Sequence, residues 1–271
     1  MQRTEGDAIS SATEAVLYHE VSGAGPVALL VAGTPGDAGQ FGPLAAALGR
    51  DFTVVTYDRR GTSRSPRPPG WSTTSVAEQA DDAAALLTRL TTEPAVVYGT
   101  SNGAAVALEC ALRHRDRVSK VLLHEMPLLS ALADPEPVGE MLGQLIGTAM
   151  EQGGPPAALD AFVRFAFGDE VVDSIDADVW QRMLGNAEMV FTIEMPVFQA
   201  YRPDEAALAA LTVPSQVLVG EEQGVPLFGE AARWLGQRLG VSVMPSPGGH
   251  APHLSHPDEL AALIRDLIAD R

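Results

Sequence analysis

Cysteine is nearly absent. Cys110 is the only one in 271 residues, so no internal disulfide can form and nothing in the chain calls for an oxidising compartment. It stands among Leu108, Ala111 and Leu112, where buried packing rather than reactivity is expected. Positive charge is scarce as well: 18 Lys and Arg face 35 Asp and Glu, a formal net charge of −17. Such a surface repels phosphate backbones and anionic lipid, which argues against nucleic-acid and membrane-surface partners and for a neutral small-molecule substrate. No apolar run approaches bilayer-spanning length. Met1-Gln2-Arg3-Thr4-Glu5 carries no apolar h-region, so no signal peptide is expected and the default location is cytoplasmic. What the chain does have is 46% apolar and 20% charged residues, enough for one globular domain with a large core and an inserted lid, alone or as a homodimer.

Short apolar runs punctuate the sequence. Residues 15–21 alternate moderately and read as an early strand. Residues 27–32 are a continuous apolar run, the mark of a strand covered on both faces, 94–98 read as a short buried apolar strand, and 53–57 and 118–123 read as further strands. Helical patterns separate them: 41–48, then a segment opened by the capping box Ser75-Val76-Ala77-Glu78 and running to about residue 90, then an alanine-rich stretch after Ser101. Alternation of this kind predicts an α/β fold, a mostly parallel twisted sheet with helices on both faces. From about 128 to 211 the pattern changes. Pro135, Pro137 and Pro155-Pro156 break up helical segments at 138–152, 157–167 and 178–201, with no strand signal. Residues 128–211 therefore read as a helical cap inserted into a core made of 1–127 and 212–271. The core resumes with a strand at 214–220, a helix at 229–239, a short strand at 241–244 and a C-terminal helix opened by Pro257.

The chemistry concentrates at Val97-Tyr98-Gly99-Thr100-Ser101-Asn102-Gly103-Ala104. A strand meets Gly-x-Ser-x-Gly and passes into a helix, the context of a nucleophile elbow. The turn is so tight that side chains at positions 99 and 103 would collide, and Ser101 is expected in a strained backbone conformation with its hydroxyl above the sheet edge. The N–H of Asn102 at the helix N-terminus, and backbone around Gly33 and Thr34 in Gly33-Thr34-Pro35-Gly36, are placed to form an oxyanion hole. A serine nucleophile needs a base. Of the histidines, His19 precedes the sheet, His114 ends a helix, His124 lies on a strand, His253 is past the loop tip and His256 looks like a cap. His250 alone sits in a Gly-rich loop directly after the last core strand, so it is the expected base. A carboxylate should fix its tautomer. After the penultimate strand, where an acid is usual, stand Glu221, Glu222 and Gln223, and Gln223 supplies no charge. Glu125, at the carboxyl edge of a central strand, is favoured over Glu222 or Glu221. The charged run Asp58-Arg59-Arg60 reads as a turn held by side-chain bonds to backbone. The cap's methionines (141, 150, 183, 189, 195) and phenylalanines (162, 165, 167, 191, 198) exceed what a small cap can bury, so some should make the cleft apolar.

These residues resemble the α/β-hydrolase superfamily over nearly the whole chain. Within it, the sequence is similar to the zearalenone hydrolase (lactonase) group and related bacterial esterases. The likeness rests on Gly99-Thr100-Ser101-Asn102-Gly103, His124-Glu125-Met126-Pro127 and Pro247-Gly248-Gly249-His250-Ala251-Pro252 with Ser255-His256-Pro257-Asp258. In the cap, Trp180-Gln181, Pro196-Val197 and Pro203 fall at similar spacing. The resemblance implies Ser101, His250 and Glu125 as catalytic residues, and a serine hydrolase of carboxylic esters or lactones that uses no metal or cofactor. Met126, Pro127, Met189, Phe191 and Phe198 are the expected substrate contacts. Phe198 stands where those lactonases present a tryptophan, and Ala32 precedes Gly33 where they carry a polar residue, so the substrate itself does not carry over. Two other readings fit the same scaffold: a non-hydrolytic enzyme such as a lyase or cofactor-free peroxidase-like activity, and a small-molecule binder with a vestigial triad. An epoxide hydrolase or dehalogenase would need an aspartate at position 101.

Overall fold

A computed structural model of the protein describes residues 15–222 and 225–269. The N-terminal segment read for a signal peptide, and Gln223, lie outside the described residues. Seven strands form one sheet in the order β1-β3-β2-β4-β5-β6-β7: β1 (His19–Gly23), β2 (Val27–Val31), β3 (Thr53–Tyr57), β4 (Ala95–Thr100), β5 (Val118–His124), β6 (Ser215–Gly220) and β7 (Val243–Ser246). β1 runs antiparallel to β3, and every other pairing is parallel.

The sheet separates two cores because side chains alternate faces along each strand. Leu29, Val31, Val55, Val97, Val121 and Leu123 pack on one side against α2 (Val76–Leu90), α3 (Asn102–Arg113) and the helix Pro226–Leu239. Ala28, Leu30, Val54, Val96, Tyr98 and Leu122 pack on the other side against α1 (Gly42–Leu48) and the C-terminal helix Pro257–Ala269. Burial on both faces is why β2 reads as an unbroken apolar run. The expected capping box forms: Ser75 Oγ accepts from the Glu78 N–H at 3.0 Å.

Between β5 and β6 the chain is helical, without a strand among the described residues. The expected helices at 138–152 and 157–167 are both present, as the two halves of α4 (Glu136–Phe167), separated by the non-helical Gly154 (φ 72°, ψ −165°) just before Pro155-Pro156. Next come α5 (Asp169–Asp173) and α6 (Ala177–Gly185). The single helix expected at 178–201 is instead broken. A π-helical stretch, Val190–Glu194, follows the short α7 (Ala187–Met189), and α8 (Met195–Ala200) closes the segment. This excursion has a small core of its own, Leu159, Val163, Val172, Ala187 and Val190. No helix among the described residues is long and apolar enough to cross a membrane.

The boundaries drift at the edges of the sheet. The first strand starts at His19 rather than residue 15, and the last occupies Val243–Ser246 rather than 241–244. Strands β1 and β7 each pair on one side only, so pairing partners rather than local hydrophobicity decide where they begin.

Candidate active site

The carboxyl ends of β4, β5 and β7 lie along one edge of the sheet. At the end of β4, Ser101 adopts φ 53° and ψ −132°. Only three non-glycine residues among those described have positive φ: Ser63, Ser101 and Glu125. Strain of this kind persists only where surroundings over-determine it. Here a Cβ at Gly99 would stand 2.3 Å from the Gly103 carbonyl oxygen, and one at Gly103 would stand 2.2 Å from that of Val31. The Ser101 N–H donates to the His124 carbonyl at 2.9 Å, and the Ser101 carbonyl accepts from the Ala104 N–H at 2.9 Å. Its side chain makes no cap bond to α3, so the hydroxyl is not tied back into the helix it precedes.

Glu125 follows β5 with φ 44° and is 3% exposed. Its Oε1 accepts from the Gly220 N–H at 2.8 Å, and its Oε2 lies 2.6 Å from His250 Nδ1. Burial pushes the Glu125 carboxyl up. The hydrogen bond and charge of His250, with His124 and the Gly220 N–H, outweigh burial and hold it below its ordinary value. A carboxylate only accepts, so Nδ1 carries the hydrogen and Nε2 is left free on the opposite side of the ring. The Phe228 ring stacks on the imidazole, with centroids 4.1 Å apart and planes at 15°. The ring of His250 is thus held at its Nδ1 edge and on one face.

Glu221 and Glu222, the alternative acids, are exposed at the surface. They are tied to the sheet by their backbone N–H groups, on Ser246 O and Gly248 O. The structure therefore brings Glu125 to His250 and neither of these. The remaining histidines are engaged elsewhere: His19 with Leu17 O, His114 with Asp81, His253 with Gln40 and His256 with Ser255. His124 is fully buried between Thr100 Oγ1 and Ser246 Oγ, and burial pushes it down to about 4. Cys110 is buried, and burial pushes its thiol up to about 12.

The expected oxyanion elements gather around Ser101. A Cβ on Gly33 would meet Ser101 Cβ at 2.7 Å, so only glycine lets this loop approach the elbow. Asn102 Nδ2 donates to Thr34 Oγ1 at 2.8 Å, joining the loop to the first residue of α3. Thr34, Ser101, Asn102 and His250 all line one narrow apolar cleft of about 70 Å³. A second, more polar cleft of about 270 Å³ is lined by Glu125, His250, Glu222 and Ser255. Phe167 and Phe228 line both. Among the described residues, no cluster of His, Cys, Asp or Glu is arranged to hold a metal ion.

Of the expected substrate contacts, Pro127 and Phe198 line the cleft, whereas Met126, Met189 and Phe191 do not. Met126 packs into the sheet core beside Leu123, because the positive φ of Glu125 turns the chain there. Met189 is buried, and Phe191 packs against the excursion's own core. Met189 immediately precedes and Phe191 lies within the π-helical stretch Val190–Glu194, where the regular helical period does not apply. Among the walls that the sequence did not mark individually are Phe162, Phe165, Phe167, Met141, Met195 and Phe228. All but Phe228 belong to the excess of cap methionines and phenylalanines, which was the available signal.

The charged turn after β3 also departs from expectation. Asp58 does hold backbone, accepting from the Ala38 and Arg64 N–H groups. Arg59 likewise reaches backbone, donating to the Gly33 carbonyl at 3.3 Å, but both arginines also make buried side-chain ion pairs, Arg60 with Asp82 and Arg59 with Glu194. Glu194 lies 135 residues away, beyond any local pattern.

The profile of the Alpha/beta hydrolase family matches residues 28–263. Bacillus subtilis "Uncharacterized hydrolase YraK" is 29% identical over 93% of this chain and 92% of its own length. "Zearalenone hydrolase" of Bionectria ochroleuca is 24% identical over 94% of this chain and 95% of its own. Among solved structures, a thermophilic esterase from Thermogutta terrifontis superposes with a TM-score of 0.75 at 26% identity, covering 99% of this chain and 98% of that one.

Proposed function

The chain belongs to the alpha/beta hydrolase family, and from that premise we propose that it is a serine hydrolase cleaving a carboxylic ester or lactone of an apolar small molecule. Ser101 attacks the carbonyl carbon. His250 Nε2 takes the hydroxyl proton and passes it to the departing alkoxide oxygen, leaving an acyl-enzyme. Glu125 fixes the imidazole tautomer and stabilises the imidazolium. The N–H groups of Asn102 and of the Gly33–Thr34 loop hold the oxyanion, an effect worth about 3–4 kcal/mol per donor in comparable sites. Water, deprotonated by His250, then releases the acid and restores Ser101. The scheme calls on no metal or cofactor.

One observation carries this reading: a buried 2.6 Å Glu125–His250 contact beside an apolar cleft that His250 shares with a strained serine. The helical excursion, residues 128–211, serves as the cap that makes this cleft apolar. The relative named zearalenone hydrolase makes zearalenone the first macrolactone to try. Phe198, where those lactonases present a tryptophan, changes the wall of the cleft and is the reason to extend the panel to other esters and lactones. A turnover screen over this panel, with Ser101→Ala as control, tests the proposal. Turnover lost in the control supports it. Binding without turnover across the whole panel favours a binder, and a Ser101→Ala variant with full activity favours a non-hydrolytic enzyme.

A further inference from the structure

Three side chains of the excursion reach back to the loops that follow β2 and β3. Arg182 Nε donates to Asp37 Oδ2 at 2.8 Å. Asn186 Nδ2 donates to the Pro35 carbonyl at 2.8 Å and to Ser63 Oγ at 2.9 Å, while its Oδ1 accepts from the Ser63 N–H at 2.7 Å. Ser63 is the one strained non-glycine residue, among those described, that lies away from the Ser101–His250–Glu125 cluster. Glu194, in the π-helical stretch, pairs with the Arg59 guanidinium, one contact being Nη2 to Oε2 at 2.8 Å. Arg59 and Glu194 are 1% and 0% exposed.

Arg59 also donates through Nη2 to the Gly33 carbonyl at 3.3 Å, and the Gly36 N–H donates to the same oxygen at 2.7 Å. The Gly33–Thr34 peptide is trans, since the only cis bond among the described residues is Thr34–Pro35. In a trans peptide the C=O and N–H point in opposite directions. Pinning the Gly33 oxygen therefore fixes where the Thr34 N–H points. The Phe198 ring, a wall of the cleft, lies over the same guanidinium at 5.4 Å.

A buried ion pair is poor evidence of a stabilising device, because removing two charges from water costs about what their attraction returns. This one also leaves Arg59 Nε buried without a hydrogen-bond partner among the described residues. Its placement fits a geometric role better than an energetic one.

We propose that Arg59 and Glu194 are positioning residues whose buried pair transmits the docked position of the helical excursion to the Gly33–Thr34 peptide, aiming the Thr34 N–H at the oxyanion. The cap segment 182–194 is then part of the oxyanion hole's frame rather than a free lid. This rests on the hydrolase reading above.

The test compares wild type with Glu194→Gln and Asn186→Ala, using the best substrate from the screen and an aryl trifluoromethyl ketone. Ser101 Oγ adds to the ketone carbon, its proton goes to His250, and the resulting hemiketal oxyanion needs the hole, whereas planar substrate binding does not. The expected result for Glu194→Gln is a kcat at least tenfold lower, KM within twofold, and a trifluoromethyl ketone Ki weakened by the same factor as kcat. If Glu194→Gln does not fold, Asn186→Ala decides, with the same split at about threefold. Equal kcat and Ki in folded variants, or a raised KM with unchanged kcat, overturns the inference and leaves the hydrolase reading standing. Wild-type protein that forms no Ser101 hemiketal overturns both.

Discussion

The sheet edge and the helical excursion hold their side chains by different means. Ser101, Glu125 and His250 follow strands β4, β5 and β7, and the parallel ladders between β4, β5, β6 and β7 fix the spacing of those strand ends. Backbone bonds finish the work, from Ser101 N to His124 O and from Gly220 N to Glu125 Oε1. The excursion has no ladder. Its second half is held by the buried ties of Asn186 and Glu194 and by a five-residue core. The first half of α4 is held more loosely: Met141 is 40% exposed while lining the cleft. On the proposed function, chemistry belongs to the laddered sheet edge and the substrate wall to the more exposed excursion. Substitutions at the sheet edge should abolish turnover, whereas those in the excursion should redistribute it among substrates.

The largest expected effect is that of Ser101→Ala, which should lower kcat by about 10⁴-fold or more with the fold intact by circular dichroism. Glu125→Gln should cost about 10³–10⁴-fold in kcat, because the amide no longer sets the tautomer or stabilises the imidazolium. Glu222→Gln, assayed alongside, should stay within about twofold. If Glu222→Gln is the damaging one, the comparison fails at its root. On the excursion side, Phe165→Ala should change relative kcat/KM between a bulky and a small ester by roughly tenfold, about 1.4 kcal/mol. The same variant should leave the rate of Ser101 modification by a small phosphonate near that of wild type. Equal losses on every substrate would mean that the cap wall takes part in chemistry.

The smallest effect concerns stability. His124 is buried with its pKa lowered to about 4 from 6.5. The unfolded chain therefore takes up a proton near pH 6.5 that the folded chain refuses until about pH 4. Stability should fall as pH drops through that window, by about 2 kcal/mol at pH 5. His253, also buried and lowered, adds slope of the same sign. Chemical denaturation between pH 7 and 5 should show a shallower loss for His124→Gln than for wild type. Parallel curves would mean that His124 is not the neutral, bonded histidine described above.

The same contrast explains what could be read in the sequence. The elbow is legible because its sterics are local, with Gly99, Ser101 and Gly103 inside five residues. His250 is legible because it alone follows a core strand in a Gly-rich loop. Glu125 could be favoured because a strand end is a defined place in a parallel sheet. Three features were not legible. Which methionines and phenylalanines face the cleft depends on how the helices of the excursion pack over the sheet edge, a tertiary fact that composition does not carry. The Arg59–Glu194 pair joins residues 135 positions apart, and Arg59 looked like one more charge in a turn. Phe228, stacked on His250, precedes the helix expected at 229–239 and carries no mark in sequence of its place in the helix Pro226–Leu239.

The most direct measurement of the central claim is fluorophosphonate labelling followed by peptide mapping, on wild type and on His250→Ala. The account predicts a single adduct on Ser101 in wild type and labelling slowed by at least about 10³-fold without the base. Intact wild-type protein that stays unlabelled, or that carries its adduct on another residue, would contradict it.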